Sequence, residues 1–107
     1  MKLFLDDERM PANNGPDWII ERSSASAIQG CKLLGCPKFI SFDHDLGGDD
    51  TAMAFVHWLI NYDLDHPGFI PGDFSFDVHS QNPIGKANIE GLLNSYLRSK
   101  TTVANSN

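Results

Sequence analysis

The sequence predicts an α/β sandwich built on a mostly parallel four-stranded sheet. Short apolar runs that stop at aspartates alternate with segments whose apolar residues recur at helical spacing. That alternation calls for right-handed crossovers between parallel strands. Length adds a bound, because 107 residues suffice for one domain with a single hydrophobic core.

Taken in order, "KLFL" (2–5) and "KFISF" (38–42) are dense in β-formers and apolar on both alternating positions, as strands buried on both faces require, so both are expected at the centre of the sheet. "MPANNGP" (10–16) is too rich in Pro, Asn and Gly for a regular element, and "DWIIER" (17–22) after it reads as a short strand. Residues 24–34 place Ala27, Ile28, Cys31 and Leu34 on one helical face, ended by Gly35 and Pro37. In residues 50–63 the stripe is Ala52, Phe55, Val56, Leu59 and Ile60, with Asp49 or Asp50 as N-cap. "DFSFDVHS" (73–80) alternates Phe74, Phe76 and Val78 against Ser75, Asp77 and His79, the period of a half-exposed edge strand. The last helix spans 83–98, with Asn82 as N-cap, Pro83 at the first position and Ile89, Leu92, Leu93, Tyr96 and Leu97 as its apolar face. The domain is expected to cover 1–98, and the polar tail 99–107 to fray.

Composition excludes several classes of function. Eight basic against fourteen acidic side chains give a net charge of −6, and no Lys/Arg stripe could neutralise the phosphates of duplex DNA. Cys31 and Cys36 lack the further Cys or His ligands of a structural zinc site and are expected as free thiols. "MKLFLDD" turns charged after three apolar residues, unlike a signal peptide, and no apolar run is long enough to span a membrane. A cytoplasmic location is expected.

In open parallel sheets, ligands bind beyond the carboxyl ends of the strands, where strand order reverses. Asp6-Asp7 follows the first strand, Asp43-His44-Asp45 follows "KFISF", and His79-Ser80-Gln81-Asn82 follows the edge strand. Turn formation does not need two acidic ends on adjoining central strands, and like charges held close would repel or trap protons without a cation between them. Asp6, Asp7, Asp43 and Asp45 are therefore candidate ligands of a divalent metal: an oxygen-rich set favours Mg²⁺, Mn²⁺ or Ca²⁺, and a nearby imidazole shifts the preference toward Mn²⁺ or another transition ion, so that Mg²⁺ or Mn²⁺ is expected. Gly47 and Gly48 permit close approach of an anion. Asp49, Asp50, Asp63 and Asp65 read as caps or turn residues, His57 and His66 lack a strand-end position, and Arg22 and Lys86 read as solvated surface charges.

The motifs bear a resemblance. "LDD" and "DHDLG" are similar to the acidic pair and the phosphoacceptor segment of two-component receiver domains, with Asp43 at the phosphoacceptor position. "LDDERMP", "SFDHDLG" and "VHSQNPIGKANIEGLL" together resemble the cyclic-phosphate-processing receiver-like domains, in order over residues 1–98. The resemblance implies a truncated receiver-like (flavodoxin-like) three-layer sandwich and a metal-dependent activity that opens cyclic phosphates, such as 2′,3′-cyclic phosphate RNA ends or small cyclic nucleotides. It matches Asp6 and Asp7 to the metal pair, Asp43 to the central aspartate, His44 and Asp45 to the "DHD" motif, and His79, Ser80 and Asn82 to the "HSxN" motif. Two departures from ordinary receivers, the absence of a late lysine-bearing strand and the replacement of the first helix by "MPANNGP", argue against phospho-switching.

The mechanism expected on this basis is metal-dependent phosphoester hydrolysis. Asp43 holds the cation or attacks directly, His44 or His79 protonates the leaving ribose oxygen, and Ser80 with the backbone at Gly47 or Asn82 holds the phosphoryl oxygens. The alternative is a non-catalytic receiver-like module that binds metal or nucleotide and regulates a partner.

Overall fold

The computed structural model describes residues 1–12 and 17–105, for 101–105 without their side chains. Its elements are β1 (Lys2–Leu5), β2 (Trp18–Glu21), α1 (Ser24–Leu34), β3 (Phe39–Phe42), α2 (Ala52–Asp65), β4 (Ser75–Val78) and α3 (Pro83–Asn105). The strands lie in the order β2-β1-β3-β4, and all three neighbouring pairs are parallel. The expected α/β receiver-like architecture is thus present, with a sheet that is wholly parallel and with the two apolar runs at its centre.

Strand order explains how the layers are filled. The chain leaves β1 in one direction to form β2, then passes back over β1 to form β3 and β4. Right-handed crossovers that run in opposite directions lie on opposite faces. The β1–β2 crossover contains no helix among the described residues, so α1 and α2 share the other face, and α3 joins them. One cluster accordingly holds Leu3, Leu5, Ile40, Phe42 and Val78 from alternate strand positions with Ala27 and Cys31 of α1, Phe55, Val56 and Leu59 of α2, and Ile89 and Leu93 of α3. Each fully buried large side chain there, such as Phe42 or Phe55, contributes about 1.5–3 kcal/mol by leaving water. The opposite face carries Phe4, Trp18, Phe39, Ser41 and Asp77, and among the described residues no helix lies on it; Pro11, after β1, is buried. The expected irregular segment 10–16 lies outside the described residues at positions 13–16.

Local chemistry shifts several boundaries. Ser23 caps α1 through a reciprocal capping box with Ser26. Neither Asp49 nor Asp50 caps α2: Thr51 is its N-cap, without a side-chain hydrogen bond. Asp50 turns back instead to accept hydrogen bonds from the Ser24 N–H, at 2.9 Å, and from the Ser24 hydroxyl, which ties the loop after β3 to the start of α1. The helix α3 runs on to Asn105, past the expected end at residue 98, since no Gly or Pro intervenes to stop it. Asp63 is also no turn residue. It is 2 % exposed and accepts from the Ile70 N–H (2.8 Å), the Tyr96 hydroxyl (2.6 Å) and Lys100 Nζ (2.9 Å), joining the end of α2 to α3.

Candidate metal and phosphate site at the strand ends

The reversal point between β1 and β3 gathers the acidic side chains that follow them. One carboxylate oxygen each from Asp6, Asp7 and Asp43 lies within 4.8 Å of the other two. Pairing places them there: Leu5 is in register with Phe42, and the Asp43 N–H donates to the Leu5 carbonyl at 2.8 Å. Such oxygen-only sets suit hard divalent cations.

The three carboxylates differ in what already holds them. Asp6 is fully buried; its Oδ1 accepts from the backbone N–H groups of Glu8 (2.9 Å) and Arg9 (2.8 Å), and its Oδ2 from Arg9 Nε and His79 Nε2, both at 2.9 Å. Burial alone would raise the Asp6 carboxyl, but the two backbone N–H groups, His79 and the Arg9 charge outweigh it and hold the pKa at about 2. Asp43 gives Oδ1 to the His44 N–H at 2.9 Å and keeps Oδ2 at 3.6 Å from Arg9 Nη2. Asp7 has no hydrogen-bond partner among the described residues, and Gly47 lies against it. At Gly47 φ is +89°, and a Cβ there would stand 3.3 Å from Asp7 Oδ2, so both the turn and the close approach call for glycine. The donor set fits a divalent cation, with Asp7 and Asp43 offering the free oxygens and Asp6 anchored behind them.

The remaining expected residues separate into two groups. His79 is at the acidic group, bonded to Asp6 on one side and, through Nδ1 at 2.8 Å, to Ser41 Oγ on the other. His44, Asp45, Ser80 and Asn82 form a neighbouring cluster at the start of α3. His44 Nδ1 meets Asp45 Oδ1 at 3.0 Å, and Asn82 Nδ2 donates to Asp45 Oδ2 at 3.4 Å. Those two contacts, His44 first, lower the Asp45 pKa. Asp45 is exposed and stands outside the group formed by Asp6, Asp7 and Asp43. Asn82 caps α3 by accepting from the Gly85 N–H at 3.0 Å, while its own N–H donates to Ser80 Oγ, also at 3.0 Å. Its polar atoms are thereby committed, whereas the Ser80 hydroxyl keeps its hydrogen to give. The His44 ring packs on Gly85, where a Cβ would come within 2.3 Å of it. Among the described residues no buried side-chain nitrogen or oxygen lacks a partner, so His44 Nε2, which has none there, reaches solvent.

Two arginines belong to this site that the sequence reading did not select. Arg9 bridges Asp6 and Asp43, with Nη1 left without a partner among the described residues. Arg22, read as a surface charge, donates through Nη1 to the carbonyls of Asp6 (3.0 Å) and Arg9 (2.6 Å) and so pins the loop that carries Asp7. The usable sign for Arg9 was its spacing, i+3 from Asp6 in the same loop; Arg22 offered none, because its partners lie 13 and 16 residues away.

A family model described as the cyclic-phosphate processing receiver domain matches residues 1–95. No curated protein and no solved structure matches the chain. Among the described residues, no helix is long and apolar enough to cross a membrane.

Proposed function

The chain belongs to the cyclic-phosphate processing receiver domain family, and from that premise we propose that it is a metal-dependent phosphoesterase that opens cyclic phosphates on RNA ends or small nucleotides. The observation that carries this reading is the convergence of Asp6, Asp7 and Asp43 at the strand-order reversal, with the exposed Arg9 guanidinium beside them. Asp7, Asp43 and, behind them, Asp6 would hold Mg²⁺ or Mn²⁺, which supplies Lewis acidity toward a phosphoryl oxygen and the attacking water.

The chain's own groups provide the rest. Arg9 Nη1 and the Ser80 hydroxyl donate to non-bridging oxygens, where negative charge builds as phosphorus is attacked. Asp7, whose carboxylate has no hydrogen-bond partner among the described residues, offers one oxygen to the cation and accepts the proton of the water on the other. His44 Nε2 is the ring nitrogen open to the ligand, and it gives its proton to the leaving ribose oxygen, so that the ring opens to a phosphomonoester. His44 takes this role ahead of His79 because both nitrogens of His79 are engaged within the protein.

A second reading, binding without turnover, is favoured by the Arg9 bridge, since an internal cation already offsets part of the acidic charge. Incubation with 2′,3′-cyclic nucleotides in Mg²⁺, Mn²⁺ or chelator separates the two. Hydrolysis that needs the cation and disappears in a folded Asp43→Asn variant is expected; saturable binding with no product would favour the second reading, and full activity of the variant would remove Asp43 from the site.

A further inference from the structure

Ser41 is a polar residue in an otherwise apolar central strand, and only 5 % of it is exposed. A satisfied hydroxyl could have bonded back to the backbone. Instead its Oγ reaches across the β3–β4 pair to Asp77 Oδ1 and also to His79 Nδ1 at 2.8 Å. Asp77 is in register with Ser41, and His79 follows two residues later on the same face, so the parallel ladder itself places the three together.

One donor in this chain follows from elimination. The exposed Asp77 carboxylate accepts only, and the Ser41 hydroxyl is held between it and His79 Nδ1. Asp6 also accepts only, so Nε2 donates to it at 2.9 Å. Both ring nitrogens are engaged, Nδ1 at Ser41 and Nε2 at Asp6, and rotation within the ring plane is blocked at each end. Tilt is blocked as well, because the imidazole stacks on Phe4 at 4.6 Å between centroids with an interplanar angle of 6°. His79 is therefore fixed in every direction and directs one N–H at Asp6.

We propose that Ser41 and Asp77 are positioning residues: they lock His79, and through its N–H they set the carboxylate plane of Asp6 relative to Asp7 and Asp43. The cation part rests on the reading of that acidic group as a metal site. Outer partners of this kind typically change metal affinity by about 10–100-fold when removed.

The test combines two readouts on the full chain. Ring N–H resonances of His79 are followed by ¹⁵N-resolved NMR in wild type, Ser41→Ala, Asp77→Asn and Ser41→Thr, and Mn²⁺ affinity is measured by titration with electron paramagnetic resonance. Wild type is expected to show the His79 Nε2 hydrogen protected from exchange. Ser41→Ala is expected to lose that protection and about tenfold in Mn²⁺ affinity, and Ser41→Thr, which keeps the hydroxyl, to recover both. Asp77→Asn, a change at an exposed position, is expected to weaken the protection without loss of fold. Ring signals that do not change in Ser41→Ala overturn the proposal, as does Mn²⁺ affinity that stays within about twofold of wild type while the ring signals are lost. If wild type itself binds no Mn²⁺, the metal reading fails, and the ring signals alone decide whether Ser41 positions His79.

Discussion

Arg9 acts at the site as a built-in counter-ion. Its Nε contact to Asp6 and its approach to Asp43 moderate a repulsion that three neighbouring carboxylates would otherwise exert. Arg9→Ala should lower the melting temperature in chelator by an amount equivalent to about 1 kcal/mol, modest because the side chain is half-exposed and Asp6 keeps its other donors. The same variant should gain more than wild type from saturating Mn²⁺, as it lacks the internal charge that competes with the ion. Melting curves with and without cation measure both quantities, and equal increments for the two proteins would show that Arg9 offsets no charge there. Asp63 poses a different case, far from the candidate site. Burial by itself would raise its carboxyl, and the Tyr96 hydroxyl, the Ile70 N–H and Lys100 more than reverse this, so the folded pKa is depressed. A depressed carboxyl contributes stability that is fully present above the unfolded value, about 4, and is lost as pH falls through the folded value. Asp63→Asn should therefore destabilise by about 2–3 kcal/mol at pH 7, less than a fully buried pair because Lys100 is 31 % exposed, and by less near pH 3. Urea denaturation at the two pH values checks the difference.

At the scale of elements, the start of α3 shows how one residue can serve both folding and the site. Asn82 caps the helix through Gly85 and reaches Asp45 with its amide, while Gly85 makes room for the His44 ring. Asn82→Ala should cost about 1 kcal/mol as a lost cap. Asn82→Ser should restore most of that stability, since serine also caps, while removing the amide that reaches Asp45 Oδ2; a comparison of their melting temperatures separates cap from contact. This cap was legible in the sequence because Asn-Pro ahead of an apolar stripe is a local signal. So were the strands 2–5 and 39–42, whose apolar runs report burial on both faces, and the edge strand, whose alternation reports burial on one. The misplaced cap of α2 has the opposite cause. Asp50 is chemically able to cap the helix that follows, but Ser24, 26 residues earlier, competes for the same carboxylate, and tertiary packing decides. Asp6, Asp7 and Asp43 could be brought together on paper by the rule for strand ends, whereas Arg22, Ser41 and Asp77 depend on which strands pair and in what register.

For the molecule as a whole, β1 is the strand around which everything else is ordered. It pairs on both sides, with β2 and β3, and its alternate residues Leu3 and Leu5 enter the only cluster to which all three helices contribute among the described residues. The edge strands β2 and β4 each pair once. This unevenness has a consequence in time. An amide of β1 can exchange its hydrogen with water only when both neighbours and the helical layer have let go, an event close to global unfolding, whereas edge amides need only a local opening. Hydrogen exchange should therefore be slowest at Leu3 and Leu5 and at Ser41 and Asp43, whose N–H groups face β1, and orders of magnitude faster in β2, whose four residues are all half-buried. Uniform rates across the four strands would contradict that hierarchy. Because Asp6 and Asp43 directly follow β1 and β3, the candidate site is carried by the slowest-opening part of the chain, so its acidic side chains keep their spacing while the edges of the sheet breathe.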